Sequence, residues 1–151
     1  MKISVNGISI IKKFEGFSSK PYLCPGNVWT IGYGHTGKDV VSNMHITREA
    51  AELILLKDVE RFEECIAEIV VASISLTQYQ FDALVSLAYN IGNQAIKKSS
   101  LIKDLNVGNY KEAANHFLDW TLAGGKTLAG LFQRRLAEKK LFLTGITGLA
   151  S

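Results

Sequence analysis

Cysteine and proline are scarce in this chain, with two of each among 151 residues. Cys24 and Cys65 are too few for a disulfide framework and form no C-x-x-C metal motif, so they read as free thiols of a protein made in a reducing compartment. No stretch approaches the ~18 consecutive apolar residues of a membrane span, and stable membrane insertion is not expected. Asn6, Gly7 and the Lys12-Lys13 pair interrupt any apolar core near the N-terminus, so no secretory signal is read there. Charge of either sign is diluted. Seventeen Lys and Arg, spread along the chain against fourteen Asp and Glu, leave a net charge of +3. Nucleic-acid binding usually comes with a denser basic patch, so no nucleic-acid partner is expected, whereas a polyanionic substrate is compatible with the mild excess. Internal repeats, low-complexity tracts, metal-ligand clusters and phosphate-binding loops are absent from the sequence, and no metal or cofactor is expected.

What is present is globular. Hydrophobic residues make up 47% and charged residues 21%, enough for one domain, or one domain pinched into two lobes. Asn6 as N-cap, apolar Ile8, Ile11 and Phe14, and Gly16 as a stop predict a short helix over about 7–15 that ends on Glu15. Residues 17–45 hold both prolines, with Val28 to Ile31 and Gly32 to His35 reading as extended chain. They predict a small antiparallel sheet with turns at Pro25-Gly26-Asn27 and Thr36-Gly37-Lys38.

From Thr47 to Gly92 neither glycine nor proline occurs before that final glycine. Leu55, Val59, Phe62, Ile66 and Ile69 follow helical spacing, predicting a helix over about 47–72 that connects a small β-containing lobe (about 16–46) to a helical lobe (about 73–151, with residues 1–15 packed near a cleft). Thr77 with Gln80, and Asn109 with Glu112, each have capping-box spacing. The first box opens a helix stopped by Gly92. The second opens one that carries Phe117 and Trp120 to Gly124-Gly125. A last helix is predicted over about 131–143, stopping at Gly145. The expected fold class is α+β, predominantly helical.

Three side chains in this frame carry chemistry. Glu15, in the last turn of a helix and flanked by Phe14 and Phe17, faces the negative end of the helix dipole and partial desolvation. Both favour the protonated carboxyl that a general acid needs. Cys24 closes the first predicted strand, and Thr30 lies on the second. Taken singly, each has an ordinary explanation: a surface acid, a small buried hydrophobe, a strand residue.

Taken together, the residues are more specific. Glu15, eight residues, Cys24, five residues, Thr30, followed by the strand Thr30-Ile31-Gly32-Tyr33-Gly34-His35, resembles the phage-type lysozymes, the muramidase endolysins of tailed bacteriophages. The likeness extends through "QFDALVSLAYNIG" (80–92) and "GLFQRRLAE" (130–138), covering nearly the whole chain. It implies a two-lobed lysozyme-like fold and hydrolysis of the β-1,4 bond between N-acetylmuramic acid and N-acetylglucosamine in peptidoglycan. Glu15 would be the general acid, and Thr30 and Cys24 would position a water in an inverting reaction. It implies saccharide binding by Tyr89 and Asn90, though Tyr89 could equally be a core residue. His35 would be structural, bonded to an acid for which Asp39 and Asp58 are both candidates. One of Arg134 and Arg135 would reach Glu15, opposing the dipole and burial so that the net effect on its proton stays open, the other being solvated or paired with Glu138. The expected partners are glycan strands and a separate holin-like permeabilising protein. The expected enzyme is a monomer, held in the host cytoplasm until release to the wall.

Cys24 departs from the aspartate that many members carry there. A neutral thiol stabilises developing positive charge less well than a carboxylate. Three rival readings remain, one of them a lytic transglycosylase, which would use one glutamate without a hydrolytic water and release a 1,6-anhydro sugar. A cysteine-nucleophile wall amidase or peptidase would pair Cys24 with His35, His45 or His116, and a non-catalytic wall-binding module would use the same cleft without chemistry.

Overall fold

The computed structural model describes residues 1–24, 26–123 and 125–146, with the backbone alone at 123, 126 and 127. The architecture is α+β and predominantly helical, with a three-stranded antiparallel sheet. The chain forms two compact units, Ile11–Arg61 and Met1–Ile10 with Phe62–Ser151.

The unit of residues 11–61 begins within helix α1 (Val5–Glu15), which stops where Gly16 takes φ +73 and its N–H closes on Lys12 O at 3.0 Å. Strands β1 (Ser18–Cys24), β2 (Val28–Gly32) and β3 (His35–Thr36) follow in sheet order β1-β2-β3. The first hairpin pairs Tyr22 with Thr30, Leu23 with Trp29 and Cys24 with Val28. Gly26 and Asn27 turn it at positive φ, and the Asn27 N–H donates to Cys24 O. Pro25, expected in the same turn, lies outside the described residues. Helix α2 (Arg48–Asp58), capped by the Thr47 hydroxyl, lies against β2 at Gly32. There φ is +65, and a Cβ would stand 3.2 Å from that of Ala51, so only glycine allows the approach. Ile31, Leu55 and Val59 are buried here. Phe17 and Tyr33 pack at 5.5 Å, with the Arg48 guanidinium over Phe17.

The other unit surrounds α4 (Gln78–Ile91), in which every residue from Gln80 to Ala88 is buried, as expected of a helix enclosed on all sides. Its capping box is formed in full: the Gln80 N–H donates to Thr77 Oγ1, and the Thr77 N–H to Gln80 Oε1. The other elements are α3 (Glu60–Ile69), which starts two residues before the unit does, then α5 (Asn93–Lys97), α6 (Ser100–Asn106), α7 (Tyr110–Asn115), a 3-10 turn (His116–Asp119), a hairpin of β4 (Leu122–Ala123) and β5 (Lys126–Thr127), and α8 (Ala129–Leu143). Phe117 and Phe142 meet at 5.5 Å, both fully buried.

Residues 2–4 are held by two buried carboxylates. The Ile3 N–H donates to Glu63 at 2.6 Å, the Ser4 N–H to Asp82 at 2.8 Å, and the Ser4 hydroxyl also donates to Asp82. Gln78 Nε2 donates to both Lys2 O and Asp82. A Cβ at Gly7 would stand 2.9 Å from that of Asp82, which explains the glycine inside α1.

Several expectations need correction. Helix α1 begins at Val5, not after Asn6, because Ser4, anchored by Asp82, takes the capping place: the Ile8 N–H closes on Ser4 O. The segment 47–72 is two helices, α2 and α3, interrupted at Val59. That residue keeps helical dihedrals and still bonds Leu55 O, so the interruption is a loosening at one residue. Tyr33-Gly34, with Gly34 at φ +87, is the turn between β2 and β3. His35 and Thr36 form β3, and Gly37-Lys38 follows the sheet. The second capping box does not form, because the Asn109 N–H is engaged with Asp104 O at the end of α6 and its side chain caps nothing. The helix that it opens stops at Asn115. Gly125 instead turns the β4–β5 hairpin, and Gly124 lies outside the described residues.

Candidate active site

Within residues 11–61 the sheet register places Tyr22, Cys24, Val28 and Thr30 on one face of the first hairpin: Tyr22 is opposite Thr30, Cys24 is opposite Val28, and side chains two apart share a face. Thr30 is 1% exposed, and its Oγ1 lies 3.0 Å from Cys24 Sγ and 3.1 Å from Val28 O. One hydroxyl proton serves these two acceptors in turn. Cys24 is half-buried and a free thiol. Glu15 is half-buried at the C-terminal end of α1.

Tyr22 is the member of this group that the sequence reading missed. Burial, the neighbouring Cys24 thiol and the Glu15 charge all push the phenol above its ordinary pKa of 10.0, so it stays protonated. The signal was available in its place two residues before Cys24 on the same strand.

His35 bonds both of its candidate acids. Nδ1 lies 2.6 Å from Asp58 at the end of α2, and Nε2 lies 3.0 Å from Asp39. Burial pulls the imidazole down, but the hydrogen bonds and charges of Asp58 and Asp39 outweigh it, and its pKa stands above 6.5. The His35 hydrogen bond in turn lowers that of Asp39. His116 is held in the same way by Asp104 (3.0 Å) and Asp119 (2.8 Å). An amidase base would need a free imidazole nitrogen. Those of His35 and His116 are occupied, while His45 is exposed, and the Thr30 hydroxyl donates to Cys24 Sγ.

In the helical unit Tyr89 is half-buried and meets Phe62 edge-on at 5.4 Å, so its ring serves the core in part. Asn90 is exposed, and its Oδ1 accepts from Arg135 at 2.8 Å. Arg134 and Arg135 both pair with Glu138, so neither is solvated. Arg134 Nε lies 3.2 Å from one carboxylate oxygen and Arg135 Nε 2.9 Å from the other, while the Ser86 hydroxyl donates at 2.5 Å. All four side chains are buried. Burial pushes the Glu138 carboxyl up, against the opposing pull of Arg135, Arg134 and the Ser86 hydrogen bond.

Among the described residues, no three His, Cys, Asp or Glu side chains converge to hold a metal ion, and no helix is long and apolar enough to cross a membrane.

The sequence profile of the phage lysozyme family matches residues 12–138. An endolysin of Bacillus phage B103 is 47% identical over 147 residues, covering 96% of this chain and 55% of its own length. The endolysin of Salmonella phage P22 is 42% identical, covering 95% of this chain and 99% of its own. Among solved structures, the muramidase domain of SpmX from Asticaccaulis excentricus superposes with a TM-score of 0.87 at 39% identity, covering 95% of this chain and 98% of its own. The chain thus spans about half the length of the Bacillus phage relatives that it matches. With the Glu15, Cys24 and Thr30 spacing and the fold both in place, this chain belongs to the phage lysozyme family.

Proposed function

We propose that this chain is a muramidase endolysin, a glycoside hydrolase that cuts the β-1,4 bond between N-acetylmuramic acid and N-acetylglucosamine in peptidoglycan. Glu15 protonates the bridging oxygen. Thr30 and Cys24 hold the attacking water on the opposite face of the sugar, and the anomeric configuration inverts because water displaces the leaving group directly; the water's second proton passes to solvent, from which the Glu15 carboxylate is reprotonated. The observation that supports this most is the 3.0 Å contact of Thr30 Oγ1 with Cys24 Sγ on one hairpin face. A hydroxyl and a thiol held together offer a water two polar anchors without a charged nucleophile between them.

Tyr89 and Asn90 supply a stacking ring and an amide to the saccharide. With its oxygen engaged by Arg135, Asn90 presents its NH2 as a donor. The enzyme acts as a monomer without a cofactor. It waits in the host cytoplasm and depends on a separate holin-like protein to reach the wall. The name of the SpmX domain, and the endolysin names of the phage relatives, support this reading.

The test is product analysis of digested peptidoglycan. The parent is expected to release reducing N-acetylmuramic acid ends without 1,6-anhydro sugar, and Glu15→Gln to release none. A Glu15→Gln variant that folds normally and digests walls at the parental rate would refute the assignment.

A further inference from the structure

We propose that His116 is a proton-operated latch, tying the end of α6 to the 3-10 turn while its ring is charged and releasing α6 when the ring is neutral. The geometry carries it. Nδ1 lies 2.8 Å from an oxygen of Asp119 in the same turn, and Nε2 lies 3.0 Å from an oxygen of Asp104 on α6. A neutral imidazole has one N–H and one bare lone pair. With a carboxylate at each nitrogen, it would aim that lone pair at an anion. Only the imidazolium suits both neighbours. Burial pulls the ring down, but Asp119 and Asp104 outweigh it, and its pKa stands above 6.5.

Other charged groups sit on the elements packed against the turn, which are α6, α7 and α8. Lys103 on α6 is exposed, as are Lys111 and Glu112 on α7, and Glu112 accepts the His116 backbone N–H at its carbonyl. On α8, Arg134 and Arg135 are buried against Glu138, Lys139 is half-buried and Lys140 is exposed. The charges that act on the ring are those of Asp119 and Asp104.

Loss of the proton affects the two contacts unequally. Asp119 is three residues from His116, so its hydrogen bond with Nδ1 closes a short loop at little entropic cost. Asp104 belongs to a separate helix. The proton that stays is therefore on Nδ1, and the bare Nε2 is left against Asp104. Repulsion then falls on the joint between α6 and the turn. That joint bears on more than one pair. The Asp104 carbonyl accepts the N–H of Val107 and of Asn109, and Asn106 holds the end of α3 through Ile69 O and the Val71 N–H. The latch is complete below about pH 6.5 and is lost as pH rises through the higher folded value.

The test is an NMR titration of the imidazole nitrogens from about pH 5 to 9. His116→Gln identifies the signal among the three histidines. His116 is expected to titrate above 6.5 and to leave the Nδ1–H tautomer at high pH. Across that titration the hydrogen-exchange protection factors of the Val107 and Asn109 amides are expected to fall about threefold, within the range of a part-exposed ion pair. Asp104→Asn keeps the shape and removes the charge. It is expected to lower the His116 pKa and to abolish the pH dependence of protection, as is His116→Gln. A His116 pKa at or below its ordinary value overturns the inference, and so does an Nε2–H tautomer. Protection that stays flat in the parent, or that still varies with pH in His116→Gln, overturns it equally.

Discussion

The imidazole of His35, on the shortest strand of the sheet, lies 2.6 Å from the carboxylate of Asp58 at the far end of α2. Asp39 bonds the other ring nitrogen, so two acids from separate segments fix one ring and tie the hairpin sheet to its supporting helix. This tie has a defined pH window. The pKa of His35 is raised on folding, so its contribution is complete below about pH 6.5 and is lost as pH rises through the higher folded value. The pKa of Asp39 is lowered, so its contribution is complete above about 3.8 and is lost as pH falls through the lower folded value. The difference in Tm between the parent and His35→Gln is expected to be largest between those limits and to shrink toward pH 8. A difference that is flat with pH, measured by calorimetry, would show that the ring acts through packing alone.

Cys24→Asp separates the thiol's identity from its place. A carboxylate at this position stabilises developing positive charge better than a neutral thiol, so the variant is expected to retain or exceed parental lysis. Thr30→Ala, which removes the buried partner, is expected to lower kcat by about tenfold or more. Turbidity loss of permeabilised cells compares the three proteins directly. Loss of activity in Cys24→Asp would indicate that the sulfur itself reacts.

The buried Glu138 balances two guanidiniums. Glu138→Gln keeps the shape and removes the buried carboxylate charge that both guanidiniums face. A destabilisation of about 3–5 kcal/mol is expected, readable as a lowered urea midpoint.

Thr77→Ala removes one half of the α4 capping box. The cost is expected to be about 1 kcal/mol, with the denaturant slope unchanged, since the cap closes one helix end and supports no wider contact.

How much of this was legible in the sequence depended on whether a signal was local. Thr77 with Gln80, the stop at Gly92, and the places of Glu15 at the end of α1, Cys24 at the end of β1 and Thr30 on β2 were legible because neighbours in sequence do the work. Asn109 with Glu112 has the same spacing as the first box, yet the end of α6 had already claimed the Asn109 backbone. The opposing directions inferred for Arg134 and Arg135 assumed that side chains point as their Cα positions do, about 100° apart around the helix. Both are long enough to bend onto a residue three and four places on, and Glu138 gathers them. Both acids around His35 were named, but the sequence could not show that one ring engages the two at once.

The grip of Glu63 and Asp82 on Ile3 and Ser4 has a practical corollary for anyone handling the protein. The backbone amides of Ile3 and Ser4 are bonded to acids on two helices of the bundle. An affinity tag joined ahead of Met1 must leave Lys2 to Ser4 in their socket. One that displaces them would strand two carboxylates beneath the surface and loosen the bundle from its first turn.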